Sequence, residues 1–96
     1  MITLADIQKK RAEILKVAAS YGADNLRIFG SVVRGTAGPD SDVDILVRMS
    51  SKSSLLDRIG IMQDLEALLG VKVDVVNEKA VHPLLRDRIF SEVIPL

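Results

Sequence analysis

Apolar residues recur at helical spacing in three parts of the chain, and each run has its own start or stop signals. The first two runs open on capping boxes, and the third opens on a proline, which suits the first turn of a helix. Glycines follow the first two runs, where a left-handed residue commonly ends a helix. The pattern predicts helices over about residues 4–20, 55–69 and 83–91, with starts at Thr3 with Asp6, Ser54 with Asp57, and Pro83, and stops at Gly22 and Gly70.

Short apolar runs alternate with these helices and predict strands over about residues 25–29, 42–48 and 71–76. A short helical turn is expected over 32–34, and Pro39 forbids a helix through the loop that follows. The apolar tail, residues 92–96, could add an edge strand or cover the core. We therefore predict one α/β (α+β) domain over residues 1–96, with a small mixed sheet of three to four strands flanked by helices.

Composition narrows the classes of partner. The 13 basic and 13 acidic residues leave no net charge to attract nucleic acid or a membrane surface. One tyrosine, two phenylalanines and no tryptophan provide little surface for stacking bases. The chain has no cysteine, no signal-peptide pattern and no apolar run near the roughly eighteen residues of a membrane span. We expect a soluble cytoplasmic domain for which nucleic acid is an unlikely partner.

Three aspartates are the strongest candidates for chemistry. Asp42 and Asp44 alternate along the second strand, so both side chains point to one face, roughly 6.6 Å apart. Carboxylates at this spacing can bracket two cations about 3.5–4 Å apart, as in phosphoryl-transfer sites. Asp74, central in the third strand, would join them if the two strands are neighbours. Alternatively, Asp42 caps the loop, and Asp44 and Asp74 simply face water.

A cluster of carboxylates is unfavourable unless a cation fills it, and Mg²⁺ is the hard ion that carboxylate oxygens suit. Soft ligands for zinc are missing, because the chain has no cysteine and its single histidine, His82, lies elsewhere. A lone histidine before a helix-opening proline is more often a cap than a catalyst. The residues therefore predict an Mg²⁺ site and no zinc site.

Gly30 and Ser31 stand between the first strand and the short helical turn, where free amides and a hydroxyl suit a phosphate. The alternative is a plain turn with Ser31 as the N-cap. A P-loop is excluded because no lysine stands between Gly35 and Thr36. Arg34 could neutralise phosphate charge, or it could be a surface residue paired with the aspartate six positions later, at residue 40.

The motif Gly30-Ser31, ten intervening residues and Asp42-x-Asp44 resembles the signature of the nucleotidyltransferase superfamily, and most closely its minimal branch. The resemblance implies the nucleotidyltransferase fold, with Asp42, Asp44 and Asp74 as catalytic ligands of two Mg²⁺ ions. It also implies that Ser31 contacts the triphosphate of ATP. Relatives often have a polar or basic residue after the Gly-Ser pair. Val32 stands there, which makes either Arg34 more important or the activity weaker.

The same resemblance suggests a partner. Minimal members commonly pair with a small helical HEPN ribonuclease as antitoxin and toxin, and transfer AMP from ATP onto a toxin tyrosine. The resemblance therefore implies a protein adenylyltransferase. Two alternatives stay open: a non-catalytic module that masks its partner, and an enzyme that modifies RNA or a small molecule. The sequence also leaves a homo- or hetero-oligomer open.

Overall fold

The computed structural model describes residues 2–96. Five helices, four strands and one 3₁₀ turn follow one another along this part of the chain. They are α1 (Leu4–Lys9), α2 (Arg11–Ser20), β1 (Ala23–Phe29), α3 (Ser31–Arg34), β2 (Val43–Met49), α4 (Leu55–Leu69), β3 (Val73–Asn77), the 3₁₀ turn (Glu78–Ala80), α5 (Pro83–Glu92) and β4 (Ile94–Pro95).

The four strands form one mixed sheet in the order β3-β2-β1-β4. β2 and β3 are parallel, and α4 makes the crossover between them, as a parallel pair requires. β1 is antiparallel to both of its neighbours, β2 and β4. The predicted small mixed sheet of three to four strands is confirmed, and the apolar tail supplies the edge strand.

The two faces of the sheet differ in what covers them. On one face Ile28, Ile45 and Val75 are buried among apolar residues of α1, α2 and α4. The alternating positions point to the other face, where α5 covers part of the surface: the Phe90 ring lies 5.6 Å from the guanidinium carbon of buried Arg27. The rest of this second face carries Asp44 and Asp74 in adjacent strands.

Helix boundaries follow the local signals closely. Both predicted capping boxes form, at the N-termini of α1 and α4. The amide of Thr3 donates to Asp6 at 2.9 Å, and this bond is the largest cause that lowers the pKa of the Asp6 carboxyl. His82 caps α5, since its Nδ1 accepts the Leu84 amide at 3.1 Å. The expectation that this histidine is a cap is confirmed.

The prediction of one helix over residues 4–20 is wrong, because the helix is divided at Lys10. The Lys10 amide donates to the Ile7 carbonyl at 3.0 Å, a tight i→i−3 bond, and its φ and ψ are −104° and 17°. Its ammonium group donates to the Leu68 carbonyl at 2.9 Å, near the end of α4. This contact is long-range, so helical periodicity gave no sign of it. Within residues 2–96, no helix has the length and apolar character that a membrane crossing requires.

Candidate active site

Strand pairing brings two of the three predicted aspartates together. Asp44 in β2 lies opposite Asp74 in β3 in the parallel register, so both stand on the same face. The prediction that Asp42 lies in the strand is wrong by one residue, because Asp42 directly precedes β2. β2 begins at Val43, whose amide donates to the Lys72 carbonyl at 2.9 Å. Asp42 and Asp74 are exposed and Asp44 is half-buried, so the cluster opens to solvent.

The Gly-Ser turn, residues 30–35, packs closely against Asp44. Gly30 has a φ of 81°, in the left-handed region that favours glycine, and a Cβ at this position would overlap the Asp44 carboxylate. Gly30 is the N-cap of α3 and Ser31 is its first helical residue, so the alternative of Ser31 as the N-cap is wrong. The turn closes at Gly35, which is also left-handed with a φ of 74°. Ser31 therefore lies one residue from the point where the turn contacts Asp44.

Arg34 pairs with a residue that the sequence did not indicate. Its Nη1 lies 3.0 Å from Oε2 and 3.1 Å from Oε1 of Glu92, so the alternative of a pair with Asp40 is wrong. Glu92 also accepts the Gly30 amide at 3.2 Å. Val32, the residue after the Gly-Ser pair, is 6% exposed and packs in the core. Arg34, two residues further along the turn, carries a permanent positive charge.

The acidic environment changes the ionisation of Asp44. Burial, the largest cause, acts together with the charges of Asp74, Asp42 and Glu92 to raise the pKa of its carboxyl from 3.8 to about 6, while the Arg34 guanidinium lowers it. A carboxyl with such a raised pKa destabilises the folded protein when it is ionised. A cation would relieve this cost.

All residues of this site lie in the part of the chain that matches a known sequence family. The family model described as "Nucleotidyltransferase domain" matches residues 8–96. The chain belongs to the nucleotidyltransferase domain family. The Gly-Ser turn and the aspartates on β2 and β3 are therefore the candidate active site of a nucleotidyltransferase, and the resemblance seen in the sequence is confirmed.

Close relatives of this nucleotidyltransferase share its length. The protein adenylyltransferase MntA of Thermococcus cleftensis is 38% identical over 95 residues, which are 98% of this chain and 96% of the relative. A solved structure of a candidate minimal nucleotidyltransferase is 42% identical, with a TM-score of 0.87, and the match covers 99% of this chain and 97% of that one. The likeness therefore extends over the entire domain.

A more distant neighbour shares the nucleotidyltransferase fold. It is a complex of a tri-AMPylated HEPN toxin with an MNT antitoxin from Shewanella oneidensis. The identity is 20% and the TM-score is 0.70, and the match covers 92% of this chain and 69% of that chain. At this identity the likeness shows the fold.

The donors of this nucleotidyltransferase site fit a hard cation in their chemistry, because the three aspartates offer only oxygen. Their spacing is less complete. Among residues 2–96, no three carboxylate or imidazole groups stand close enough together to form a ready metal cluster. Asp44 and Asp74 are nevertheless adjacent in the sheet.

An open cleft of about 590 Å³ begins beside Asp42. It runs between the loop that precedes β2 and the end of α4. Charged and polar side chains line it from the loop, from α4 and from the connection between α4 and β3: Asp40, Ser41, Asp42, Glu66 and Lys72. Asp42 is the site residue that lines this cleft, whereas Asp44, Asp74 and Gly30 do not, so the cleft adjoins the site at its margin.

The raised pKa of Asp44 predicts a pH-dependent stability difference. The unfolded chain ionises this carboxyl near 3.8 and the folded chain near 6, so the destabilising contribution grows as pH rises between these values and is constant above them. In metal-free buffer at pH 7.5, the free energy of unfolding of Asp44→Asn should exceed that of wild type by about 1–2 kcal/mol, after allowance for solvent screening. Urea unfolding at pH 7.5 and pH 4 measures the difference, which should nearly vanish at pH 4. An equal difference at both pH values would contradict the assignment.

Proposed function

We propose that this domain transfers AMP from ATP to a tyrosine hydroxyl of a partner HEPN toxin, and that it acts as the antitoxin. One observation carries the proposal: Asp44 and Asp74 lie side by side on parallel strands, with the Gly30-Ser31 turn pressed against Asp44. This arrangement places two carboxylates, which a bound cation would stabilise, next to a turn that can hold phosphate. The reaction needs ATP, so we place the protein in the cytoplasm.

The relatives support this choice of reaction and partner. The Thermococcus cleftensis relative, 38% identical over nearly the whole chain, is named a protein adenylyltransferase. A protein of the same fold is bound to a HEPN toxin that carries three AMP groups. An acceptor on a separate protein also suits a site whose outer aspartates, Asp42 and Asp74, are exposed at the surface.

Each site residue has a proposed role. Asp42 and Asp44 would hold two Mg²⁺ ions, and Asp74 would be a further ligand of one of them. When bound, the ions would supply charge neutralisation of the phosphates and a lowered pKa for the acceptor hydroxyl. Gly30 and Ser31 receive the triphosphate, and Arg34 offers a permanent positive charge beside it.

The chemistry balances as a simple displacement at the α-phosphorus. The tyrosine oxygen forms a bond to this atom while the bond to the bridging oxygen of the β-phosphate breaks. Pyrophosphate leaves, AMP stays on the tyrosine, and the hydroxyl proton passes to water. The protein's contribution is mainly the positioning of acceptor and phosphates and the neutralisation of charge.

Isotopic labelling separates this reaction from its rivals. Purified partner protein, incubated with this domain and Mg²⁺, should acquire label from ATP labelled at the α-phosphorus and none from ATP labelled at the γ-phosphorus. Label from the γ position would indicate phosphoryl transfer and contradict the proposal. Absence of label on the partner, with label on added RNA or a small molecule, would contradict the proposed acceptor.

A further inference from the structure

Glu92 adds a fourth carboxylate to the site and contacts Gly30 and Arg34, the first residue of the Gly-Ser turn and the last residue of α3. Its Oε1 accepts the Gly30 amide at 3.2 Å and Nη1 of Arg34 at 3.1 Å, and its Oε2 accepts the same nitrogen at 3.0 Å. The Glu92 side chain is only 18% exposed, while that of Arg34 is 41% exposed. Glu92 is therefore the enclosed member of the pair, and Arg34 keeps a side open to solvent.

The placement of Glu92 follows from the edge strand. Ile94 of β4 pairs with Ile28 of β1, and the Leu96 amide donates to the Leu26 carbonyl at 2.9 Å. Glu92 is the last residue of α5 and lies two residues before β4, so the edge strand holds the end of α5 beside Gly30. The Glu92 carboxylate therefore contacts the Gly30 amide from the β4 side of β1, which is opposite to the side that pairs with β2.

A carboxylate at this place is unfavourable by itself. Glu92 raises the pKa of Asp44, whereas the Arg34 guanidinium lowers the pKa of the same group. The ion pair compensates the extra negative charge, and it fixes where the positive charge stands. A guanidinium has five N–H donors, and Glu92 contacts only Nη1, so other donors of Arg34 can serve a second anion.

We propose that Glu92 is a positioning residue for nucleotidyl transfer, which holds the Arg34 guanidinium and the Gly30 amide in place to receive the triphosphate. The inference rests on the proposed function, because it assumes that the turn binds the phosphates of the nucleotide. Glu92 does not touch the reacting atoms. It acts through Arg34 and Gly30.

Two other roles would fit the same contacts. Glu92 could occupy the place of a phosphate, so that nucleotide must displace it; its removal would then tighten nucleotide binding. It could instead serve stability alone by connecting α5 to the turn, and its loss would then lower the free energy of unfolding and leave kcat/KM of the folded protein unchanged. The three roles predict different results for a double-mutant cycle.

The cycle compares wild type, Glu92→Gln, Arg34→Ala and the double variant, by steady-state AMP transfer to the partner protein. We expect Glu92→Gln to lower kcat/KM for ATP by about 10- to 100-fold, because a misplaced binding group loses a factor of this order. In the Arg34→Ala background the same change should alter kcat/KM by less than about 3-fold, since no guanidinium is left to position and the glutamine oxygen can still accept the Gly30 amide. An equal loss in both backgrounds would overturn the proposal.

Binding of a non-hydrolysable ATP analogue with Mg²⁺, measured by calorimetry, gives a readout that does not depend on transfer. Glu92→Gln should bind the analogue more weakly than wild type; tighter binding would overturn the proposal in favour of the displaced-carboxylate role. Glu78→Gln is the matched control, because it breaks an Arg–Glu pair on the same sheet face, with Arg27 at 3.4 Å. We expect it to lower stability and leave kcat/KM unchanged.

The two measurements also keep this proposal distinct from the proposed function. A wild-type protein that binds the analogue but modifies no partner would contradict the proposed function. The calorimetric cycle would still decide the role of Glu92 in that case, since the same four variants can be compared by their dissociation constants.

Discussion

Asp44→Asn will abolish AMP transfer while the domain stays folded. Asp44 lies between Asp74, its neighbour in the parallel register, and Gly30, so it adjoins both halves of the site. An amide keeps the shape but removes the charge that holds a cation between β2 and β3. Loss of metal-borne charge stabilisation worth several kcal/mol corresponds to a fall of at least about 10³-fold in rate.

Transfer assays under saturating ATP and Mg²⁺ measure this loss, and circular dichroism reports the fold. The matched control is Asp24→Asn, which removes an exposed carboxylate of the same sheet at the far end of β1, where it pairs with Arg48 at 2.6 Å. We expect the control to keep nearly full activity. Activity of Asp44→Asn within about tenfold of wild type would contradict the metal-ligand role.

Gly30→Ala will damage both stability and activity. The φ of Gly30 is 81°, and a Cβ there would overlap the Asp44 carboxylate, so either the turn or the aspartate must move. Left-handed backbone costs an alanine about 1–2 kcal/mol, and the overlap adds a cost typical of overpacking, about 1–3 kcal/mol. Displacement of Asp44 should remove activity even in molecules that remain folded.

Gly35→Ala is the control for Gly30→Ala. Gly35 ends the same turn with a φ of 74°, but no atom lies within 4 Å of the position that a Cβ would take. Its substitution should cost only the backbone term, about 1–2 kcal/mol, and should leave most of the activity. Thermal unfolding and transfer rates of both variants measure the comparison. Equal losses from the two substitutions would show that contact between Gly30 and Asp44 is unimportant.

Local sequence signals were sufficient for most of the fold. Capping boxes and helix-ending glycines gave the start of α1 and both ends of α4 within a residue or two, because these devices act within one turn of the chain. The division of the first helix at Lys10 was missed. Its tie to the Leu68 carbonyl spans 58 positions, and such a contact has no periodicity to reveal it.

The site was predictable to the extent that strand pairing could be guessed. Alternation predicted that Asp42 and Asp44 share one face, and Asp74 was expected to join them only if the two strands were neighbours. β2 and β3 are neighbours, and Asp74 lies opposite Asp44. Glu92 was not predictable in this way. It lies 58 positions after Arg34, at the end of α5, and the nearer Asp40 was the obvious partner by sequence distance. The contact depends on the packing of the end of α5 and β4 against β1, which is long-range and has no local signal.

The most direct test of the proposed function is the intact mass of the HEPN partner protein. The partner is co-expressed with the wild-type domain and, separately, with Asp42→Asn/Asp44→Asn. We predict that wild type shifts the partner's mass by one or more AMP units and that the variant leaves it unchanged. An unmodified partner that co-purifies equally with both forms would contradict adenylyl transfer and identify the domain as a binding module.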